Sequence, residues 1–106
     1  MARADAKIRP APGKAVMTAT RYAGGRLGLG GISAVKGRRS TRRSAWALVT
    51  GRYRWPGNGG RFAVWVRFVD GYWIVQHAGV DEAAAEPPDS LRVPCDLRPA
   101  FGKPAC

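Results

Sequence analysis

Apolar and aromatic residues recur in three runs of the second half of the chain, and this pattern predicts three β-strands. The runs cover residues 45–53, 61–69 and 72–78, and turn-forming residues separate them. Asp70-Gly71 stands between the last two runs, and an Asp-Gly pair in this position indicates a tight β-hairpin, because both turn residues need a positive φ. The sequence therefore predicts an antiparallel sheet of at least three strands.

The same turn predicts which side chains share a face of the sheet. Counting outwards from it gives the expected opposing pairs: Val69 with Tyr72, Phe68 with Trp73, Val66 with Val75, and Val64 with His77. Together with Phe62 they form one almost entirely apolar face, which we expect to pack on the core. The opposite face is mixed, so it is either half-exposed or covered by the N-terminal segment.

The first 44 residues contain many glycines and basic residues but few large apolar side chains, so this segment has little with which to form a core. Residues 1–14 are typical of a disordered basic arm, and residues 15–22 predict a short helix that a glycine pair ends. We expect a short extended piece over residues 27–32 and a basic linker over residues 36–43.

These patterns divide the chain at residue 44. Residues 1–44 form a basic, glycine-containing N-terminal segment that is partly disordered, and residues 45–106 form a β-rich module. The predicted fold class is α+β and β-rich.

Cys95 and Cys106 are the only cysteines, and they stand in a proline-containing segment. An even number of cysteines in a short chain favours one disulfide, which by loop entropy would stabilise the fold by roughly 3 kcal/mol. The alternative is two free thiols in a reducing compartment. Two thiolates and a single histidine cannot supply the usual four ligands of zinc, so we expect no metal site.

The chain carries a formal charge of +11, and its positive charge is concentrated in the first 69 residues. These hold 15 basic residues and one acid, Asp5, whereas residues 70–106 hold 3 basic and 6 acidic residues. The asymmetry predicts a surface for an anionic partner, such as nucleic acid, an anionic lipid surface or a cell-wall polymer. The alternative is compositional, because Arg outnumbers Lys by 14 to 4, as a GC-rich coding sequence produces.

Basic and aromatic residues alternate in Arg52-Tyr53-Arg54-Trp55 and again in Trp65-Val66-Arg67. On an exposed sheet this arrangement binds single strands, with bases stacked on aromatic rings and arginines on phosphates. The alternative is that the tryptophans are core residues. The candidate anion or nucleic-acid contacts are Lys36, Arg38, Arg39, Arg42, Arg43, Arg52, Arg54, Arg61 and Arg67. The candidate stacking residues are Trp55, Trp65 and Tyr72.

No pattern in the sequence predicts catalytic machinery. No serine or cysteine nucleophile with an orienting partner can be assigned beside His77, so we interpret it as a packed structural histidine. The glycines of residues 24–31 lack the Lys-Ser/Thr ending of a phosphate loop. We expect no enzyme activity, no cofactor and no small-molecule substrate.

Several short motifs occur together in residues 46–106: Trp46-Ala47-Leu48-Val49, Asp70-Gly71-Tyr72-Trp73-Ile74-Val75, Ala78-Gly79, Pro94-Cys95 and Cys106. In this combination the segment resembles the C-terminal part of small exported proteins and lipoproteins of high-GC Gram-positive bacteria. The resemblance implies a cystatin-like or nuclear-transport-factor-like α+β roll with a terminal disulfide clasp. That family begins with an export signal and a longer helix, which this sequence does not show, so we expect a different true start or a fragment.

The function expected from these observations is a non-enzymatic cationic module of unknown biological role, exported or associated with the cell envelope. The alternative is a cytoplasmic nucleic-acid-binding protein that uses the arginine-rich linker and exposed aromatic residues of the sheet.

Overall fold

A computed structural model describes residues 9–81 and 86–101 of the chain. Within these ranges the strands of an antiparallel five-stranded sheet are hydrogen-bonded in chain order, and one α-helix packs against the sheet. The elements are β1 (Arg9–Pro10), α1 (Gly13–Gly25), β2 (Ser33–Arg39), β3 (Trp46–Tyr53), β4 (Gly60–Val69) and β5 (Tyr72–Val80). Two 3₁₀ helices follow, Asp89–Leu91 and Cys95–Phe101. The predicted α+β, strand-rich class is confirmed, and the three predicted strands correspond to β3, β4 and β5.

The N-terminal helix is longer than the predicted residues 15–22 and presents small side chains to the sheet. Three alanines spaced four residues apart share one helix face and are fully buried: Ala15, Ala19 and Ala23. The helix ends where the backbone N–H of Arg26 donates to the carbonyl of Tyr22 (2.8 Å). Of the predicted disordered arm, residues 1–8 lie outside the described residues, whereas β1 and the start of α1 fall within residues 9–14.

The basic linker predicted over residues 36–43 is wrong, because β2 occupies Ser33–Arg39 and pairs with β3. Tertiary pairing overrides the weak strand propensity of a basic segment that contains glycine. Gly37 is required for close packing at this point. A Cβ atom there would lie 2.7 Å from the Cβ of Ala11 and 2.8 Å from Cγ2 of Val16.

The N-terminal segment and the β-rich module enclose one core. Residues 27–32, predicted as an extended piece, form the connection from α1 to β2; an isolated bridge joins Gly30 to Trp55, and Leu29 is buried in the core. The boundary predicted at residue 44 falls between β2 and β3, which are neighbouring strands of the same sheet.

The hairpin of β4 and β5 follows the predicted register near its turn and departs from it farther away. Three predicted pairs are confirmed: Val69 with Tyr72, Phe68 with Trp73, and Val66 with Val75. Beyond them an extra residue in β5 shifts the register, so Val64 pairs with Ala78 and Trp65 pairs with His77. Because side chains alternate along a strand, this bulge moves His77 to the opposite face. The predicted position of His77 on the core face is therefore wrong.

Each face of the sheet carries an apolar cluster. The cluster beneath α1 includes Phe62, Val64 and Val66, which confirms that this is the core face. The second cluster is formed by Trp46, Leu48, Ala63, Trp65 and Leu97, with Leu91 and Val93 packed against it. The C-terminal segment, residues 86–101, thus covers the second face, so neither predicted alternative for this face, half-exposure or an N-terminal cover, is correct. The N-terminal helix packs on the first face instead.

Candidate anionic-ligand interface

A buried serine and an aspartate of the C-terminal segment hold the turn between β2 and β3. The hydroxyl of Ser40 donates to Oδ1 of Asp96 (2.8 Å) and accepts the backbone N–H of Arg43 (3.0 Å). Oδ2 of Asp96 accepts the backbone N–H of Thr41 (2.8 Å) and its hydroxyl (3.2 Å). Ser40 is fully buried. These bonds, which we call the Asp96 latch, fasten the C-terminal segment to the turn.

The latch favours the ionised form of Asp96. Partial burial raises the pKa of this carboxyl, but hydrogen bonds from the Thr41 backbone and the two hydroxyls lower it, and the resulting pKa lies below its ordinary value. A second contact joins the same two segments, because the guanidinium of Arg43 donates to the backbone carbonyl of Arg92. The turn and the C-terminal segment therefore position each other.

Arginine side chains near this turn pack over tryptophan rings. Trp46 of β3 pairs with Arg67 of β4, so the two side chains share the second face, and Cζ of Arg67 lies 5.9 Å from the indole centroid. Cζ of Arg43 lies 5.5 Å from the same ring. On the helix-covered face, Cζ of Arg39 lies 5.5 Å from the ring of Trp73. The negative ring faces attract these guanidinium groups and hold them in place.

These arginines belong to a group at one end of the sheet, which we call the arginine end. Its members are Arg38, Arg39, Arg42, Arg43 and Arg67. Within residues 9–81 and 86–101, none of the five forms an ion pair with a carboxylate. Arg98, by comparison, pairs with Glu86 at 3.6 Å. Two carboxylates lie at the same end of the sheet, Asp96 at the β2–β3 turn and Asp70 in the β4–β5 turn. The arginine end therefore carries an excess of positive charge.

The other predicted anion contacts lie away from the arginine end. Lys36 is farther along β2, Arg52 and Arg61 oppose each other near the far ends of β3 and β4, and Arg54 follows β3 at that far end. The fold thus brings five of the nine predicted contacts together and separates the other four from them.

The predicted aromatic platform does not form. Trp65 is fully buried beneath the C-terminal segment, in the cluster with Leu48 and Leu97, so the stacking role predicted for it does not fit the fold. Trp55 and Tyr72 are 56% and 73% exposed. They flank the ten residues of β4 at opposite ends, and at about 3.3 Å per residue they are separated by about 30 Å. A stack of bases that begins on Trp55 therefore cannot continue onto Tyr72.

Sequence reasoning missed the contribution of the C-terminal segment, for which it predicted only a clasp. Asp96 and Arg92 contact the turn between β2 and β3 from this segment. The one local signal was the presence of three large apolar residues in this polar, proline-containing segment, Leu91, Val93 and Leu97, which pack on the second face. No free cysteine is found among the described residues, and since Cys106 lies outside them, the clasp stays a prediction.

Candidate chemistry outside the arginine end is limited in the described part of the chain. His77 lies opposite Trp65 on the second face, and no three His, Cys, Asp or Glu side chains of residues 9–81 and 86–101 are grouped to hold a metal ion. None of the helices in these ranges has the length and apolar character needed to cross a membrane.

Comparisons of the chain with protein-family models, with curated proteins and with solved structures give no match. The resemblance to small exported proteins of high-GC Gram-positive bacteria therefore stays a prediction.

Proposed function

We propose that the protein is a non-enzymatic cationic module that binds an anionic polymer through the arginine end. The observation that carries this proposal is the group of five arginines without a carboxylate partner in the described ranges. A guanidinium that packs by its face on an aromatic ring keeps N–H donors at its edge. Those donors suit phosphate, sulfate and carboxylate oxygens, and such charge-assisted hydrogen bonds are strong.

The placement of the arginines favours an extended ligand over a compact one. Arg39 lies on the helix-covered face, Arg67 lies on the opposite face, and Arg42 belongs to the exposed turn between β2 and β3. A small molecule cannot contact both faces at once. A polymer that crosses the end of the sheet can place successive charged groups against these side chains.

Nucleic acid is one polymer of this kind, and the absence of a continuous aromatic platform in the described fold favours contacts to its backbone over contacts to its bases. Binding should then depend on charge spacing and little on base sequence. If single-stranded DNA binds much more tightly than polyphosphate, and Trp55→Ala removes the difference, base stacking would replace backbone charge as the explanation.

The experiment is a titration of fluorescently labelled polyphosphate and single-stranded DNA at several salt concentrations. For a flexible strand, the slope of log K against log salt is about 0.7 per phosphate contacted. The double variant Arg42→Gln/Arg67→Gln should reduce this slope by about 1.4. The matched control Arg52→Gln/Arg54→Gln removes the same charge from the far end and should change the slope little. An equal reduction of the slope in both double variants, or no binding at low salt, would overturn the proposal.

We further propose export or association with the cell envelope, together with a Cys95–Cys106 disulfide. Support comes from the even cysteine number and from the positive charge, which suits the anionic polymers of a cell wall. Intact mass of natively purified protein, before and after reduction and alkylation, tests the disulfide. The N-terminus of the native protein tests export. Two freely labelled thiols, or protein found in the cytoplasm with Met1 retained, would overturn this part.

A further inference from the structure

A cleft of about 330 Å³ lies between the C-terminal segment and the turn that joins β2 to β3. Its charged lining residues are Arg43, Asp89, Arg92 and Arg98. We infer that this cleft binds a small dianion of the phosphate or sulfate class. The inference goes beyond the proposed polymer binding, because a small dianion can occupy the cleft whether or not a polymer crosses the arginine end.

The charge of the cleft suits an anion. Three guanidinium groups line it together with the carboxylate of Asp89, and Arg98 pairs with the carboxylate of Glu86 at 3.6 Å, so one net positive charge remains. The three guanidinium groups offer donors to several oxyanion oxygens, and a dianion, which carries more negative charge on those oxygens, accepts such charge-assisted bonds more strongly than a monoanion. The volume is near the lower bound of typical ligand sites and suits a phosphate or sulfate group with a small substituent.

The backbone at Arg92 holds Arg43 at the cleft. Arg92 ends the first 3₁₀ helix with φ 50° and ψ 52°, a left-handed conformation that costs energy for a residue with a side chain. Its N–H donates to the carbonyl of Asp89 (3.0 Å), and its own carbonyl accepts from the guanidinium of Arg43. These two bonds keep the strained residue and the Arg43 side chain together at the cleft.

Titration of the full chain with sodium sulfate and with inorganic phosphate, in a chloride background of constant ionic strength, tests the inference. Binding is followed through backbone amide shifts in ¹H–¹⁵N spectra. We expect one saturable site whose largest shifts fall in residues 87–98 and around Arg43. Arg92→Gln should weaken sulfate binding about tenfold or more, because it removes a charge-assisted contact. Arg92→Lys keeps the charge but not the bidentate hydrogen-bond donor, so sulfate affinity should fall by an intermediate amount.

Arg52→Gln serves as the matched control, because it removes one exposed charge far from the cleft. It should leave sulfate binding unchanged. Acidification that converts phosphate to its monoanion should weaken phosphate binding but leave sulfate binding intact. The inference would be overturned by small shifts spread over all arginines. It would also be overturned if Arg92→Gln and Arg52→Gln weakened sulfate binding equally. Polymer binding is measured separately with Arg42→Gln/Arg67→Gln, so failure of one proposal is distinguishable from failure of the other.

Discussion

Breaking the Asp96 latch tests how the C-terminal segment is held on the sheet. The perturbation is a double-mutant cycle of Ser40→Ala, Asp96→Asn and the double variant. Ser40→Ala removes a hydroxyl that donates to Asp96 and accepts the backbone N–H groups of Arg42 (3.3 Å) and Arg43 (3.0 Å). Asp96→Asn keeps the shape of the side chain, removes its charge and replaces one acceptor oxygen by a donor.

The expected costs follow from burial. Ser40→Ala should lower the free energy of unfolding by about 1–3 kcal/mol, because backbone N–H groups beside a fully buried hydroxyl lose their acceptor. Asp96→Asn should cost about 1 kcal/mol, since this carboxylate is partly exposed and solvent screens its interactions. Both changes act on the same bond, because Ser40→Ala removes its donor and Asp96→Asn removes the charge of its acceptor. The double variant should therefore be more stable than the sum of the single effects predicts, by about 0.5–1.5 kcal/mol.

The coupling should depend on pH with a definite sign. The folded pKa of Asp96 lies below its ordinary value, so the charged latch contributes fully above the unfolded pKa of about 3.9. Its contribution is lost as the pH falls through the folded pKa. Asp96→Asn should lack this part of the acid sensitivity. Ser44→Ala, on an exposed serine of the same turn, provides the control and should combine additively with Asp96→Asn.

Urea unfolding followed by tryptophan fluorescence, at pH 7 and at about pH 2, gives the free energies of the cycle. The reasoning would be refuted by single effects that add at pH 7. It would equally be refuted by a coupling of the same size at both pH values, because the bonds would then not depend on the carboxylate charge.

Three further changes test the packing. Leu97→Ala truncates a side chain that is 2% exposed and should cost about 2–4 kcal/mol in urea unfolding; an unchanged midpoint would contradict docking of the C-terminal segment. Gly51→Ala places a Cβ atom 2.5 Å from Cε2 of Phe62 and should lower the Tm by about 4 °C or more. Gly13→Ala, which meets no atom within 4 Å, is its control and should not lower the Tm. A fragment of residues 44–106 lacks α1 and β2, so circular dichroism should show no cooperative thermal transition, and a transition like that of the full chain would disprove the shared core.

The sequence predicted best those parts of the structure that depend on residues close together in the chain. The turn at Asp70-Gly71 correctly fixed the pairs next to it, because a two-residue turn leaves no freedom in register there. The bulge that displaces His77 lies farther along β5, where the fit of both sheet faces decides the register. No short-range pattern carries that information. The residues of the core face were predictable and the position of His77 was not.

Elements that depend on distant partners were not predictable. β2 contains Gly37 and three basic residues, and its strand conformation depends on pairing with β3. The C-terminal segment depends on Asp96 reaching Ser40, 56 residues away in sequence. The sequence analysis named the residues of the arginine end among nine candidate contacts, and their role stays a prediction. The separation of the nine into the arginine end and four residues farther away required the strand register.

The arginine end also poses an energetic question, since like charges gathered at one place repel each other. The structure answers it by packing Arg43 and Arg67 against Trp46, and Arg39 against Trp73. Each ring attracts the guanidinium face and restricts a side chain that would otherwise move freely. Nε of Arg39 also donates to the carbonyl of Ser44 (2.6 Å), and the guanidinium of Arg43 donates to the carbonyl of Arg92. Ordering of these side chains is then part of folding, so a ligand need not supply that entropy when it binds. The contacts that stabilise the charged side chains in the folded chain therefore also order them for the anionic partner that we propose.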